Sequence, residues 1–237
     1  MQDSFCHAGI PAMNQEQTSV SDDPYVRLRA LIVDGSLRPG EALSERSLAE
    51  RLQVGRTPIR EAVKWLARDG LLEIVPMRGT FVREMSVSDL REIHEMRIAL
   101  EGMAAFLAAR HGSCASLDDA AARLQALAKG MAAGQALDVD EAQSIGWTFH
   151  DAMFECADNQ RLRQTYQNLR AQSGLALRRV ERYSVERTQE AVLEHLEICA
   201  AIQAGDGEQA RRLVYAHLER AMQVRLKFLA HVGEKQA

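Results

Sequence analysis

The chain has 237 residues, of which 46% are hydrophobic, 26% charged and 5% aromatic, with a net charge of −4. That balance excludes a disordered chain, and a stock rich in Ala, Leu, Glu and Arg but poor in aromatics favours helices over a sandwich or barrel. No apolar run approaches the roughly 20 residues that cross a bilayer, and Met1 to Val20 has neither the basic nor the apolar region of a signal peptide. Four scattered cysteines (Cys6, Cys114, Cys156, Cys199) without a CxxC pair read as reduced thiols in a cytoplasmic protein.

The charge is unevenly spread. Residues 1–23 hold four acids and no base, residues 24–85 hold 11 Lys/Arg against 8 Asp/Glu, and residues 86–237 hold 18 against 21. A basic module beside an acidic one points the first towards a polyanion.

Residues 1–23 are polar and aperiodic, as expected of a flexible tail. Tyr25 to Asp34 reads as a helix with Leu28, Leu31 and Ile32 on its apolar side, stopped by Gly35 and Pro39-Gly40. Ser44 is placed to cap a second helix carrying Leu48, Ala49 and Leu52. Thr57 before Pro58 is placed to start a third, with Ile59, Ala62, Val63 and Leu66 facing inward. Leu71 to Val75 and Thr80 to Arg83 flank Pro76-Met77-Arg78-Gly79 as a hairpin. Three helices and a hairpin make a winged helix-turn-helix over residues 24–83.

After a linker at 84–88 the pattern turns to long helices. Ser86 and Asp89 form a capping box, and Leu90, Ile93, Met96, Leu100, Met103 and Leu107 repeat at helical spacing. Further helices are expected near 116–133, 138–157, 160–182, 187–204 and 207–231, with Asp206 and Gln209 placed to cap the last. The whole is mainly α: a winged helix-turn-helix followed by an antiparallel helical bundle over 89–233.

Arg56, Arg60, Lys64 and Arg68 recur every four residues, so they wind slowly around the face of the third helix opposite its apolar side. Such a helix suits a DNA major groove, with Arg56 and Arg60 able to pair with guanine edges and Thr57 able to hold a phosphate. Arg46 reaches towards the same groove, and Arg78 and Gly79 suit a wing beside the minor groove. The alternative is a solvated basic face paired with Glu45, Glu50 and Glu61. The runs Leu43-Ser44-Glu45, Leu48-Ala49, Val54-Gly55-Arg56-Thr57-Pro58-Ile59-Arg60-Glu61-Ala62 and Arg78-Gly79-Thr80-Phe81-Val82 resemble the GntR-family winged-helix domain. The resemblance implies operator contacts at Arg46, Arg56, Thr57 and Arg60 and a wing glycine in the minor groove. Gly55 departs from the Ser or Thr usual there.

His150, His195 and His217 lie on apolar faces of three bundle helices. Each alone reads as a hydrogen-bonded core histidine, whereas together they can converge on a divalent transition metal. Arg97 points partly inward on the first bundle helix, with Glu101 one turn on as its simplest partner. Arg97-Ile98-Ala99-Leu100-Glu101, Phe149-His150, Ala157-Asp158-Asn159, Glu194-His195, Ala204-Gly205-Asp206 and His217-Leu218 resemble the FCD effector domain of the FadR subfamily. The resemblance implies zinc or nickel held by an aspartate and three histidines, a small carboxylate effector clamped by Arg97, and a homodimer on double-stranded operator DNA. The aspartate position is Gly146, which weakens or retunes the site, and Cys199 is a second, softer donor to weigh. The expected function is a DNA-binding transcriptional repressor modulated by an organic acid, with no enzymatic activity. Its rivals are a regulator for which the metal is the signal and a metal-dependent hydrolase.

Overall fold

The structure, a computed structural model, describes residues 22–177 and 184–234. The expected tail lies outside them apart from Asp22 and Asp23, as does the end of the helix predicted at 160–182. Asp23 belongs to the fold, because its Oδ1 accepts from the Tyr25 amide at 2.9 Å and caps α1 (Pro24–Val33), with Pro24 at the first helical position.

Ser44 caps α2 (Glu45–Leu52), and Gln53 turns the chain in the left-handed conformation at φ 53°. The third helix, α3 (Arg56–Arg68), starts earlier than predicted. Gly55 occupies its cap position without a side-chain hydrogen bond, and Thr57 sits inside the first turn rather than capping it. Proline tolerates that first turn because its missing N–H has no helical partner there. Leu28 and Ile32 of α1 pack with Ile59, Val63 and Leu66 of α3, each fully buried apolar side chain contributing about 1.5–3 kcal/mol.

The hairpin is present as β2 (Leu72–Val75) and β3 (Gly79–Val82), in the register Leu72↔Val82 to Val75↔Gly79. A two-residue strand that the sequence pattern did not suggest, β1 (Ala42–Leu43), pairs antiparallel with β3 and gives the order β1-β3-β2. Two residues are too few to show alternation.

The six bundle helices among the described residues are α4 (Val87–His111), α5 (Ala115–Ala132), α6 (Val139–Cys156), α7 (Gln160–Leu177), α8 (Val185–Gln203) and α9 (Gly207–Glu234). The Ser86–Asp89 capping box starts α4, and Asp206 accepts from the Gln209 amide at 2.9 Å to start α9. Helix α4 packs against α6, α7, α8 and α9, and only part of the face its large residues suggested is used: Leu90 and Ile93 are buried and Leu100 and Leu107 pack partly against the core. Met96 and Met103 are 46% and 45% exposed, whereas Arg97, Glu101, Ala104, Ala105 and Ala108 are buried. Alanine lets helices approach closely, so the small-residue side faces inward.

Antiparallel α5 and α6 bring the start of one beside the end of the other, and Cys114 and Cys156 there form a disulfide across 42 residues. This corrects the expectation of four reduced thiols. Cys199 remains a buried free thiol. No described helix is long and apolar enough to cross a membrane.

Head and bundle share packing. Leu28 and Ile32 belong to the same apolar cluster as Leu90 and Ile93 of α4, Ala171 of α7 and Met222 of α9. Arg29 donates to the Gln167 carbonyl at 3.1 Å, and Gln172 donates to the Asp69 carbonyl at 2.7 Å.

Candidate nucleic-acid interface and histidine cavity

The apolar side of α3 is consumed by the head's core, which leaves Arg56, Thr57, Arg60, Lys64 and Arg68 exposed. Arg60 Nε lies 3.3 Å from Glu45 Oε2, placing it beside the start of α2 and hence near Arg46, which pairs with Glu50 at 2.9 Å. Lys64 pairs with Glu61 at 2.8 Å, and the Arg68 guanidinium stands 4.8 Å from the centre of the Trp65 ring. Both the basic stripe and its acidic neighbours are therefore present. Exposed pairs of this kind contribute about 0–1 kcal/mol each and yield readily to a denser array of phosphates.

Arg78 and Gly79 are exposed at the hairpin turn, next to Met77, whose side chain is wholly exposed. Gly79 has φ +121°, and nothing lies within 4 Å of where its Cβ would be. The glycine is thus required by backbone conformation and leaves the wing tip open to close approach.

In the bundle, α6 supplies His150, α8 His195 and α9 His217, all three buried. One donor atom from each lies within 4.8 Å of the others, and His195 Nε2 stands 3.3 Å from His217 Nε2. Phe149 stacks on His195 with ring centres 4.6 Å apart.

Two buried carboxylates flank the cluster, and one of them orients a ring. His217 Nδ1 donates to Glu194 Oε2 at 2.6 Å, which turns Nε2 towards the cluster. Glu194 also accepts from both Arg187 nitrogens, at 3.1 and 2.8 Å, and from Arg220 at 2.8 Å. Burial opposes its ionisation, but these donors override it and bring its carboxyl down to about 2. Glu101 is fully buried; its Oε1 accepts from Arg97 Nε at 2.6 Å, and its Oε2 lies 2.8 Å from His150 Nδ1, out of hydrogen-bond alignment. Burial would raise its carboxyl too, yet Arg97 and His150 hold it well below the ordinary carboxylate range.

Burial keeps the His195 and His217 imidazoles neutral. His195 is driven well below its ordinary value, chiefly by loss of water and then by the charge of His217. For His217, burial outweighs the attraction of Glu194 and pushes it down to about 4. Neutral imidazoles are what a metal ion requires, and two nitrogens each about 2.0–2.1 Å from one tetrahedral ion stand about 3.3 Å apart. The donor set fits a three-histidine metal site.

Gly146 lies against this cluster, and a Cβ there would sit 3.0 Å from His195 Cε1. Asp151 pairs with Arg170 of α7 and does not replace the missing aspartate. Cys199 is not among the three converging donors, and burial pushes its thiol up to about 12. Arg97, 3% exposed, both pairs with Glu101 and lines the cavity beside the histidines. Sequence reasoning paired Glu101 with Arg97 but missed its second contact, and it missed Glu194 and Arg187 as site residues. The available signal was their separation of seven on α8, two turns along one face.

A winged helix-turn-helix carried on a helical bundle with a histidine-lined cavity is the architecture of a transcription regulator. Residues 21–82 match the bacterial regulatory proteins of the gntR family, and residues 92–220 match the FCD domain. The chain is 32% identical over 206 residues to the HTH-type transcriptional repressor RspR of Escherichia coli K12, covering 84% of this chain and 86% of that protein. It is 30% identical over 211 residues to the HTH-type transcriptional regulator LutR of Bacillus subtilis, covering 79% and 93%. Among solved structures, a transcriptional regulator GntR from Rhodococcus sp. RHA1 is similar with a TM-score of 0.65 at 26% identity, covering 84% of this chain and 94% of that one. E. coli McbR/YncC is similar in fold, with a TM-score of 0.71 at 23% identity over 89% and 99%. The chain belongs to the GntR family of transcriptional regulators, with an FCD domain behind its DNA-binding head.

Proposed function

We propose that two copies of the chain bind a near-palindromic operator in the cytoplasm and that an organic acid, taken up beside His150, His195, His217 and Arg97, changes the placement of the two heads. The observation that carries this reading is the cavity itself: about 1060 Å³, lined by the three histidines and by Arg97. Arg56, Thr57 and Arg60 at the start of α3, with Arg46 on α2, read the major groove and its phosphates, while Arg78 and Gly79 meet the minor groove. Met96 and Met103 on the outer face of α4 favour pairing of two copies, since half-exposed methionines at helical spacing gain by being covered. The name of RspR favours repression as the sense of control.

His150, His195 and His217 would hold the metal ion, zinc or nickel, in this reading. When bound, such an ion supplies a Lewis-acidic point for a ligand oxygen. Glu194 keeps the His217 imidazole oriented, and Arg97 adds positive charge for an acid's carboxylate. The acid moves the heads only so far as it binds one arrangement better, commonly by about 1–3 kcal/mol.

The test is operator affinity by fluorescence anisotropy on the full chain, metal-loaded and chelated, with and without a panel of organic acids. The reading expects a preferred genomic fragment and a change in affinity with acid at constant metal. Affinity that follows zinc or nickel without any acid selects the second reading, which the three converging histidines favour: the metal itself as signal. Failure to prefer any fragment overturns both.

A further inference from the structure

The cavity is not walled by the bundle alone. Tyr25, Val26, Arg29 and Val33, all on α1 of the DNA-binding head, line the same space as His150 and His195. The head is held there by identifiable contacts: Arg29 on the Gln167 carbonyl, Gln172 on the Asp69 carbonyl, and Leu28 and Ile32 packed with Ala171 and Met222. Tyr25 donates to Asp69 Oδ2 at 2.6 Å, tying the cavity-lining start of α1 to the end of α3.

Size and charge narrow the occupant. About 1060 Å³ lies at the upper end of ordinary small-molecule sites, far beyond a three-carbon acid. Cationic side chains line it from several elements, with Arg97 and Arg187 beside the histidines, Arg163 and Arg170 on α7, Arg225 on α9 and Arg29 on α1. The carboxylates of Glu101, Glu194 and Asp151 balance Arg97, Arg187 and Arg170 respectively. Arg29, which donates to the Gln167 carbonyl, and Arg163, one turn before Gln167 on α7, supply the second positive region.

Resting on the reading that the bundle takes an organic acid, we infer that the effector is an elongated dianion that spans from the histidine cluster to α1. One anionic group lies near Arg97 and the histidines, the other near Arg29 and Arg163. The DNA-binding head is then part of the binding site, so such a ligand binds tighter when α1 is docked and holds it docked by the same factor. A short acid occupies the histidine end alone and lacks this hold on the head.

The experiment is calorimetric titration of the full chain with malonate, adipate and suberate, for wild type, Val26→Trp and Arg163→Gln, with hydrogen exchange of residues 24–33. Val26 is 38% exposed, so tryptophan fills the head side of the cavity without disturbing the core. Suberate is expected to bind at least tenfold tighter than malonate and to slow exchange in α1, where malonate does not. Val26→Trp is expected to weaken suberate at least tenfold and malonate less than threefold. Arg163→Gln, on an exposed face of α7, is expected to weaken suberate but not malonate, and it decides the outcome if the tryptophan variant folds poorly. Equal affinity for malonate and suberate, or undiminished suberate affinity in both variants, overturns the inference while the acid-binding reading stands. No heat with any acid in the wild type overturns both.

Discussion

Gly146 and His195 face each other across α6 and α8 so closely that a methyl group on the glycine would stand 3.0 Å from the imidazole Cε1. The glycine therefore sets where the ring lies. Gly146→Ala gains about 1 kcal/mol of helix propensity and loses a comparable amount to overpacking, so stability changes little. The ring, however, must shift. The expected outcome is a loss of zinc affinity of about tenfold or more, measured by competition with a chromophoric chelator, with a melting temperature close to wild type. Unchanged zinc affinity would remove His195 from the ligand set.

Glu194 is the point where Arg187, Arg220 and His217 meet. Glu194→Ala leaves the Arg187 guanidinium buried without its main counter-charge and frees the His217 ring to rotate. Breaking a buried pair costs about 3–5 kcal/mol, and losing an orienting carboxylate costs about 10–100-fold in metal affinity. Glu194→Gln keeps the shape and separates the two effects. It is expected to lower zinc affinity in that range while denaturant unfolding shows a smaller loss of stability than for alanine.

The residues that sequence reasoning found and those it missed divide along a physical line. His150, His195 and His217 stood out because a lone imidazole on an apolar helix face needs a partner, and three such faces in one bundle must meet. Glu194 did not stand out, because its bridge from α8 to α9 depends on how two helices sit side by side. The large residues of α4 misled for a related reason: Met96 and Met103 carry the periodicity, but Ala104, Ala105 and Ala108 carry the close packing. The α1 wall of the cavity and the Cys114–Cys156 bond follow from tertiary docking, which leaves no spacing in the chain to read. The head was more legible, since its caps, turns and apolar faces are local. Even there, the start of α3 moved by two residues, from a Thr57 cap to Gly55, because glycine serves as a cap without any side-chain signal.

Arg60 pairs with Glu45 across the α2–α3 junction, with its side chain 62% exposed. If it pairs with a base, Arg60→Ala is expected to weaken specific operator binding by about 1–3 kcal/mol and relax preference at one position. If it holds a phosphate, binding weakens evenly across sequences, and the slope of log affinity against log salt falls by about one. Glu45→Gln removes the competing carboxylate and is expected to tighten binding slightly, with stability changed by less than about 1 kcal/mol. Anisotropy titrations at three salt concentrations check all three. An unchanged affinity and footprint for Arg60→Ala would take it out of the interface.

Asp89 joins the end of the head to the start of the bundle: it accepts from the Ser86 amide at 2.8 Å and from Arg83 Nη2 at 2.6 Å. Hydrogen bonds from Ser86, helped by Arg83, hold its carboxyl below the ordinary range. A group whose folded value is depressed stabilises the fold above its unfolded value, about pH 3.9, and loses that contribution as pH falls through the folded one. Asp89→Asn is therefore expected to be less stable than wild type at neutral pH and to approach it as the solution is acidified below about pH 4. Ser86→Ala, which removes the cap itself, is expected to cost about 0.5–2 kcal/mol at neutral pH. Urea unfolding of the three proteins between pH 3 and 7 measures the difference, and a gap between Asp89→Asn and wild type that stays constant across that interval would show that the carboxylate's charge contributes nothing at the junction.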